Sequence, residues 1–203
     1  MVTKEQMRTF YAVDVKDKIM FYPLYKEVKK LINFENKEII DIGCGDGDAL
    51  LALTPKSSNG VGIDINKARI NAAKQKTKKY DIKNVKFDVA DAEKLKFKSK
   101  SFDVILCIEV LEFALNKTKI LSEIKRITKN NSRIIIIVPN YYNPLRVLTR
   151  MNTDAFMKPK EIKKLIYESN LKIIKAFNIY PKTINFIPKN IPFGTYLLYI
   201  CTN

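Results

Sequence analysis

Apolar residues fall along this chain in two rhythms. From Asp17 to Ile32 they stand at helical intervals (Ile19, Met20, Leu24, Val28, Leu31, Ile32), which predicts an N-terminal helix packed on a sheet, with Pro23 near its start or at a kink. Beyond it come short, dense apolar runs, and these read as buried strands: Glu38 to Ile42, Gly60 to Ile65, Val85 to Val89, Phe102 to Ile108 and Arg133 to Val138. Between them, helices are predicted over Asp48 to Leu53, Asn66 to Lys79 and Asn116 to Lys129. A helix over Lys158 to Ser169 then precedes two last strands, Lys172 to Phe177 and Thr195 to Cys201.

Runs such as Ile134-Ile135-Ile136-Ile137-Val138 suit strands covered on both faces, as parallel strands are. The alternation predicts an α/β fold: a doubly wound, mostly parallel seven-stranded sheet. Its last strand is expected to be antiparallel, because no helical crossover separates it from the strand before. No repeat, low-complexity tract or linker divides the sequence, so residues 1–203 are read as a single domain, with an N-terminal helical segment (about 1–33) and an insertion on the substrate side (about 177–194).

In an open α/β sheet a ligand sits beyond the carboxyl ends of the strands, where strand order reverses. The first strand runs into Gly43-Cys44-Gly45-Asp46-Gly47, whose glycines let the backbone turn tightly and approach a ligand that a Cβ would repel. The helix that follows offers free amides and a positive dipole end suited to a carboxylate. One strand later, Asp64 is placed to accept both hydroxyls of a ribose, although a helix cap is the plainer role for it. These features describe an adenosine-containing ligand. The run is G-x-G-x-G rather than G-x-G-x-x-G, and Asp48 stands where the last glycine of a dinucleotide fingerprint would be; an acid there repels a pyrophosphate, which disfavours NAD.

The segment from Ile39 to Gly47 resembles the first motif of class I S-adenosylmethionine (SAM)-dependent methyltransferases, particularly the small type 11 family. Gly62-Ile63-Asp64-Ile65 resembles the second motif, and Asp91-Ala92-Glu93-Lys94-Leu95-Lys96-Phe97 the D-A-E-x-L-x-F segment. Ser101 to Ile105 with Glu109-Val110-Leu111-Glu112-Phe113 resembles the fourth strand and its V-L-E-H turn; Glu123 to Ile127 resembles the E-I-x-R-V helix, and Pro159 to Ile162 the start of a later one. The resemblance covers roughly Lys37 to Lys175 and implies a Rossmann-like methyltransferase using SAM. It implies that Asp41 holds the cofactor's ammonium group through the loop, that Asp64 binds the ribose, and that Asp91 and the next amide face the adenine. The residues expected against the cofactor are thus Asp41, Gly43, Cys44, Gly45, Gly47, Asp64, Ile65, Asp91, Ala92 and Cys107. Asp88 lies close to Asp91, and either carboxylate can face solvent. The histidine of V-L-E-H is replaced by Phe113, so any role it has in relatives is absent here.

Histidine is absent from the whole chain, which excludes imidazole bases, Ser-His or Cys-His nucleophile pairs and His-ligated metals. Without it, a proton acceptor would come from Glu109, Glu112, Tyr11, Tyr141 or Tyr142; for the two glutamates, which follow the fourth strand, a salt bridge is the commoner fate. Cys44, Cys107 and Cys201 form an odd set without metal-ligand spacing, read as reduced thiols lining a core in a cytoplasmic protein. No stretch reaches the roughly 18 apolar residues of a membrane span.

The formal charge of +16 invites a nucleic-acid reading, yet lysines recur on almost every predicted helix as solvated outer faces. RNA is therefore a disfavoured partner and a small-molecule acceptor the expected one, with RNA or protein methylation, or a non-catalytic SAM-fold subunit, as rivals. Asn140 to Pro144 and Phe186 to Phe193 are candidates for lining the acceptor pocket, or simply cover a sheet edge.

Overall fold

A computed structural model describes residues 23–143, 156–179 and 196–203. In chain order these form α1 (Pro23–Leu31), β1 (Glu38–Ile42), α2 (Asp48–Leu53), β2 (Asn59–Asp64), α3 (Lys67–Lys79), β3 (Val85–Val89), β4 (Phe102–Ile108), α4 (Lys117–Ile127), β5 (Thr128–Pro139), α5 (Pro159–Glu168), β6 (Lys172–Ile179) and β7 (Tyr196–Thr202). A short 3-10 turn, Leu111–Phe113, follows β4. Residues 17–22 of the expected N-terminal helix lie outside the described residues; from Pro23 onward it is helical as expected.

The strands make one seven-stranded sheet in the order β3-β2-β1-β4-β5-β7-β6. β1 pairs in parallel with β2 on one side and β4 on the other, so the strand order reverses between β1 and β4. β7 runs antiparallel to both β5 and β6.

Alternation along each strand divides the core between the two faces. Ile40 and Ile42, Ile105 and Cys107, and Ile134, Ile136 and Val138 face α4 and α5, which return Ile120, Leu121, Ile124, Ile127, Ile162 and Ile166. Val104 and Leu106, with Ile135 and Ile137, face the other way with Val28 of α1, Leu50 and Leu53 of α2, and Ile70 and Ala73 of α3. The Ile134–Val138 run is fully buried because consecutive side chains enter opposite cores. Each such burial contributes about 1.5–3 kcal/mol, which holds the central strands rigid beneath the loops at their ends.

Three boundaries depart from the sequence reading. The helix expected to reach Lys129 stops at Ile127, because Thr128 is already extended (φ −76°, ψ 127°), and β5 begins there instead of at Arg133. The polar residues from Lys129 to Ser132 are absorbed by a register shift opposite Phe102–Val104, with Asn131 at φ 60°. β2 ends at Asp64, leaving Ile65 in the loop, and β6 runs to Ile179, past the expected start of the insertion. The rest of that insertion lies outside the described residues.

Candidate active site

At the carboxyl end of β1 the chain makes a turn that only glycines accommodate. Gly43, Gly45 and Gly47 have φ of +69°, +54° and +83°. A Cβ on Gly43 would meet Val110 Cγ2 at 2.5 Å, one on Gly47 the ring of Phe87 at 2.5 Å, and one on Gly45 the Arg69 guanidinium at 2.7 Å. The Gly47 amide closes the turn on the Cys44 carbonyl at 2.9 Å, and the Cys44 amide ties it to β2 through the Ile63 carbonyl, also at 2.9 Å.

Asp64 fixes the same loop from the neighbouring strand. One of its carboxylate oxygens accepts the Gly45 amide at 2.9 Å and the other the Asn66 amide at 2.8 Å. The cap of α3 is not Asp64 but Asn66, whose side chain accepts from Ala68 and Arg69. Each carboxylate oxygen can take a second donor, so Asp64 retains acceptor capacity toward a ligand. Over the loop lies Arg69, its Nε 2.9 Å from Asp46 Oδ1. Nothing in the sequence pattern singled out this arginine; only the fold brings α3 back onto the glycines.

Asp41 is buried beneath the loop, and its Oδ2 has no hydrogen-bond partner. Burial first, and then the charge of Asp64, push its pKa from 3.8 up to about 8, against the opposing pull of the Leu50 amide. That bond uses an amide from the first turn of α2, a helix of only six residues, so the helix end offers a ligand less than the sequence suggested. Cys44 is buried with its thiol pushed well up, chiefly by burial and then by Asp41 and Asp64; it is wall, not nucleophile.

The β3 end forms the other side. Ile65 is 74 % exposed just beyond β2. Asp91 is exposed and accepts the Glu93 amide at 2.8 Å, Ala92 is half-buried, and Asp88 instead points toward Lys74 at 3.7 Å. This segment is held by α4: Glu123 accepts the Leu95 amide at 2.8 Å, while Arg126 donates to the carbonyls of Leu95 at 2.9 Å and Phe97 at 2.7 Å. Two stretches that stood apart in the sequence thus clasp each other.

At the end of β4, Cys107 is fully buried, its thiol raised by burial first and then by the charges of Glu112 and Asp41. Glu109, at φ +55°, accepts a hydrogen bond from Tyr196, and burial raises its pKa. Glu112 is buried in the 3-10 turn with neither carboxylate oxygen partnered. The salt bridge expected of Glu112 is not formed, because nearby Lys117 turns its Nζ onto the Ala114 carbonyl at 3.0 Å, while Glu109 lies in the field of Arg69.

Of the expected acceptor-lining segments, Asn140 to Asn143 are described, and Pro144 and Phe186 to Phe193 lie outside the described residues. Tyr141 and Tyr142 meet edge-to-face at 5.3 Å with Lys158 above the Tyr141 ring. A cleft of about 380 Å³ opens there, lined by Tyr142, Lys163, Phe177, Leu197 and Tyr199 among others. Among the described residues, no group of acidic, Cys or His side chains is placed to hold a metal ion.

A ligand with an adenosine and an amino-acid tail fits this end of the sheet: a glycine cradle, a carboxylate with spare acceptor capacity, and an orphaned buried carboxylate oxygen beneath.

A family described as "Methyltransferase domain" matches residues 33–178. An uncharacterized protein of Methanocaldococcus jannaschii, MJ0638, is 32% identical over 173 residues, 79% of this chain and 72% of that protein. A ubiquinone biosynthesis O-methyltransferase of Bartonella quintana is 28% identical over 170 residues, 76% of this chain and 68% of that one. Among solved structures, a SAM-dependent methyltransferase of Aquifex aeolicus superposes with a TM-score of 0.73 at 18% identity, over 98% of this chain and 96% of that one. The switch-point glycine loop and the family match over most of the chain agree, and the chain belongs to the class I SAM-dependent methyltransferases.

Proposed function

We propose that this chain transfers a methyl group from SAM to a small-molecule acceptor, and that Asp41, Gly43, Cys44, Gly45, Gly47, Asp64, Ile65, Asp91, Ala92 and Cys107 form its cofactor site. Bound SAM supplies an activated methyl group on a sulfonium. In this reading Asp64 receives the ribose hydroxyls, Ile65 and the Asp91–Ala92 turn wall the adenine, and Asp41 and the glycine loop take the amino-acid end. Most of the catalysis then lies in alignment, since an in-line displacement needs acceptor and methyl carbon held about 3–3.5 Å apart.

The observation that carries the small acceptor is depth. Glu112, in the turn where the methyl group would be presented, is only 8 % exposed, which suits a small reactant better than a polymer. The O-methyltransferase relative supports the same reading. The lysines that supply the charge lie on α1, α3, α4 and α5, on both sides of the sheet, and do not form one stripe. Three free, buried cysteines support a reducing, cytoplasmic setting. We treat residues 1–203 as one domain, with an N-terminal helical segment (about 1–33) and a substrate-side insertion (about 177–194).

The test is incubation with methyl-labelled SAM and a fractionated cell extract. Label is expected in the dialysable fraction; label in RNA or protein overturns the small acceptor. Calorimetry is expected to show S-adenosylhomocysteine binding and no comparable affinity for NAD, and tighter NAD binding would sink the cofactor site.

A further inference from the structure

We propose that Glu112 takes the proton of the methyl acceptor, and that the acceptor accordingly presents an O–H or N–H to the turn after β4. This rests on the small-acceptor reading above. Of the side chains able to take a proton here, Tyr11 lies outside the described residues, and Tyr141 and Tyr142 are engaged with each other and with Lys158. Glu109 already accepts from Tyr196. Glu112 differs from all of them: its side chain is buried, and both of its oxygens lack a partner.

A buried carboxyl group with no partner is costly, and native structures leave few polar groups so. The cost is relieved when a bound molecule supplies the missing donor. The groups facing Glu112 are Glu109 on the same turn, Cys107 from β4 and Lys117 from α4, whose ammonium is committed to the Ala114 carbonyl. The Cys107 thiol, at the end of β4 beside β1, lies in the fields of both Glu112 and Asp41. Burial foremost, with the charge of Glu109 adding to it, holds the Glu112 carboxyl well above its ordinary range, against the pull of its own nearby backbone N–H, which makes no hydrogen bond to it, and of Lys117. A carboxylate whose pKa is raised is a stronger base once ionised, which suits it to proton transfer.

In the step, the acceptor's O–H or N–H proton passes to an ionised Glu112 oxygen. The freed lone pair forms the bond to the methyl carbon while the S–C bond breaks, its electron pair remaining on sulfur as S-adenosylhomocysteine. Glu112 then yields its proton to solvent. Because the carboxyl must first ionise, the rate rises with pH through its pKa.

Two measurements test this. The first is infrared spectroscopy of the neutral carboxylic-acid band across pH, with the spectrum of Glu112→Gln subtracted from wild type so that Asp41 cancels. A band that persists near neutral pH is expected; a Glu112 that ionises in the ordinary carboxylate range overturns the proposal. The second is transfer from labelled SAM to catechol, as an O–H probe, to hexylamine, as an N–H probe, and to whichever extract fraction takes label. Glu112→Gln is expected to lower kcat by about 100-fold or more and to abolish the acid limb of the pH profile. S-adenosylhomocysteine affinity should stay within about twofold and the thermal midpoint should not fall, while Glu112→Asp recovers part of the rate. Wild-type rate and an unchanged limb in Glu112→Gln overturn the proposal. Label entering only RNA or protein fails the small-acceptor reading, and the same limb and variant are then read on that acceptor.

Discussion

Asp41 makes the stability of this protein depend on pH in the direction opposite to a carboxylate held ionised by a cationic partner. Its pKa rises from 3.8 when unfolded to about 8 when folded, chiefly through burial. Between those values the native state holds a proton that the unfolded chain has lost, so stability falls as pH rises, by about 1.36 kcal/mol per pH unit. Across the whole window the shift corresponds to roughly 5–6 kcal/mol, comparable with the total stability of a domain. Asp41→Asn removes the titration and keeps an oxygen for the Leu50 amide. Urea unfolding of both proteins at pH 5, 6, 7 and 8 is expected to show the variant gaining on wild type by about 1.4 kcal/mol per unit up to pH 7, levelling near pH 8. Glu112 shifts in the same sense in both proteins, so the difference between the curves isolates Asp41. Parallel curves would refute the claim that Asp41 stays protonated in the fold.

Gly47→Ala puts a Cβ 2.5 Å from the Phe87 ring at φ +83° and should cost about 1–3 kcal/mol in thermal unfolding, more than Gly45→Ala, whose neighbour is a flexible arginine. Asp64→Ala should weaken S-adenosylhomocysteine binding by about 10-fold or more, because both the ligand's acceptor and the brace on the Gly45 amide are lost; Asp88→Ala, on an exposed ion pair, should leave calorimetric affinity unchanged. In filter binding, affinity for tRNA should fall steeply on going from low to physiological salt, and nanomolar sequence-selective binding there would contradict the small acceptor.

The central sheet was legible because its signals are local: continuous isoleucine and valine runs, glycines at a strand end, and an acid one strand later. The ends of β5 and α4 were not, because Lys129 to Ser132 carry no apolar rhythm and join the strand only because Thr128, ahead of them, pairs with Phe102. The position of Asp64 was legible, while its bond to Gly45 was not, since it depends on two strands meeting. The identities of Glu109 and Glu112 were in view, yet the missing partner of Glu112 could be known only once Lys117 was seen turned away. Arg69 gave no signal, as a helical arginine is ordinarily a surface charge.

The clasp of Glu123 and Arg126 on Leu95 and Phe97 sets an order on assembly. The glycine loop and Asp64 meet over a separation of 19 residues, within a unit that can pair as soon as β2 exists. The Asp91–Ala92 side is anchored by bonds that span 28 to 31 residues and end on a helix beyond β4. On a chain emerging from the ribosome, loop-closure entropy favours the nearer contact first, and the site stays open on the Asp91–Ala92 side until residue 126 has docked. A nascent chain arrested before α4 would therefore present half a site, with the second wall arriving only when the following helix closes on it.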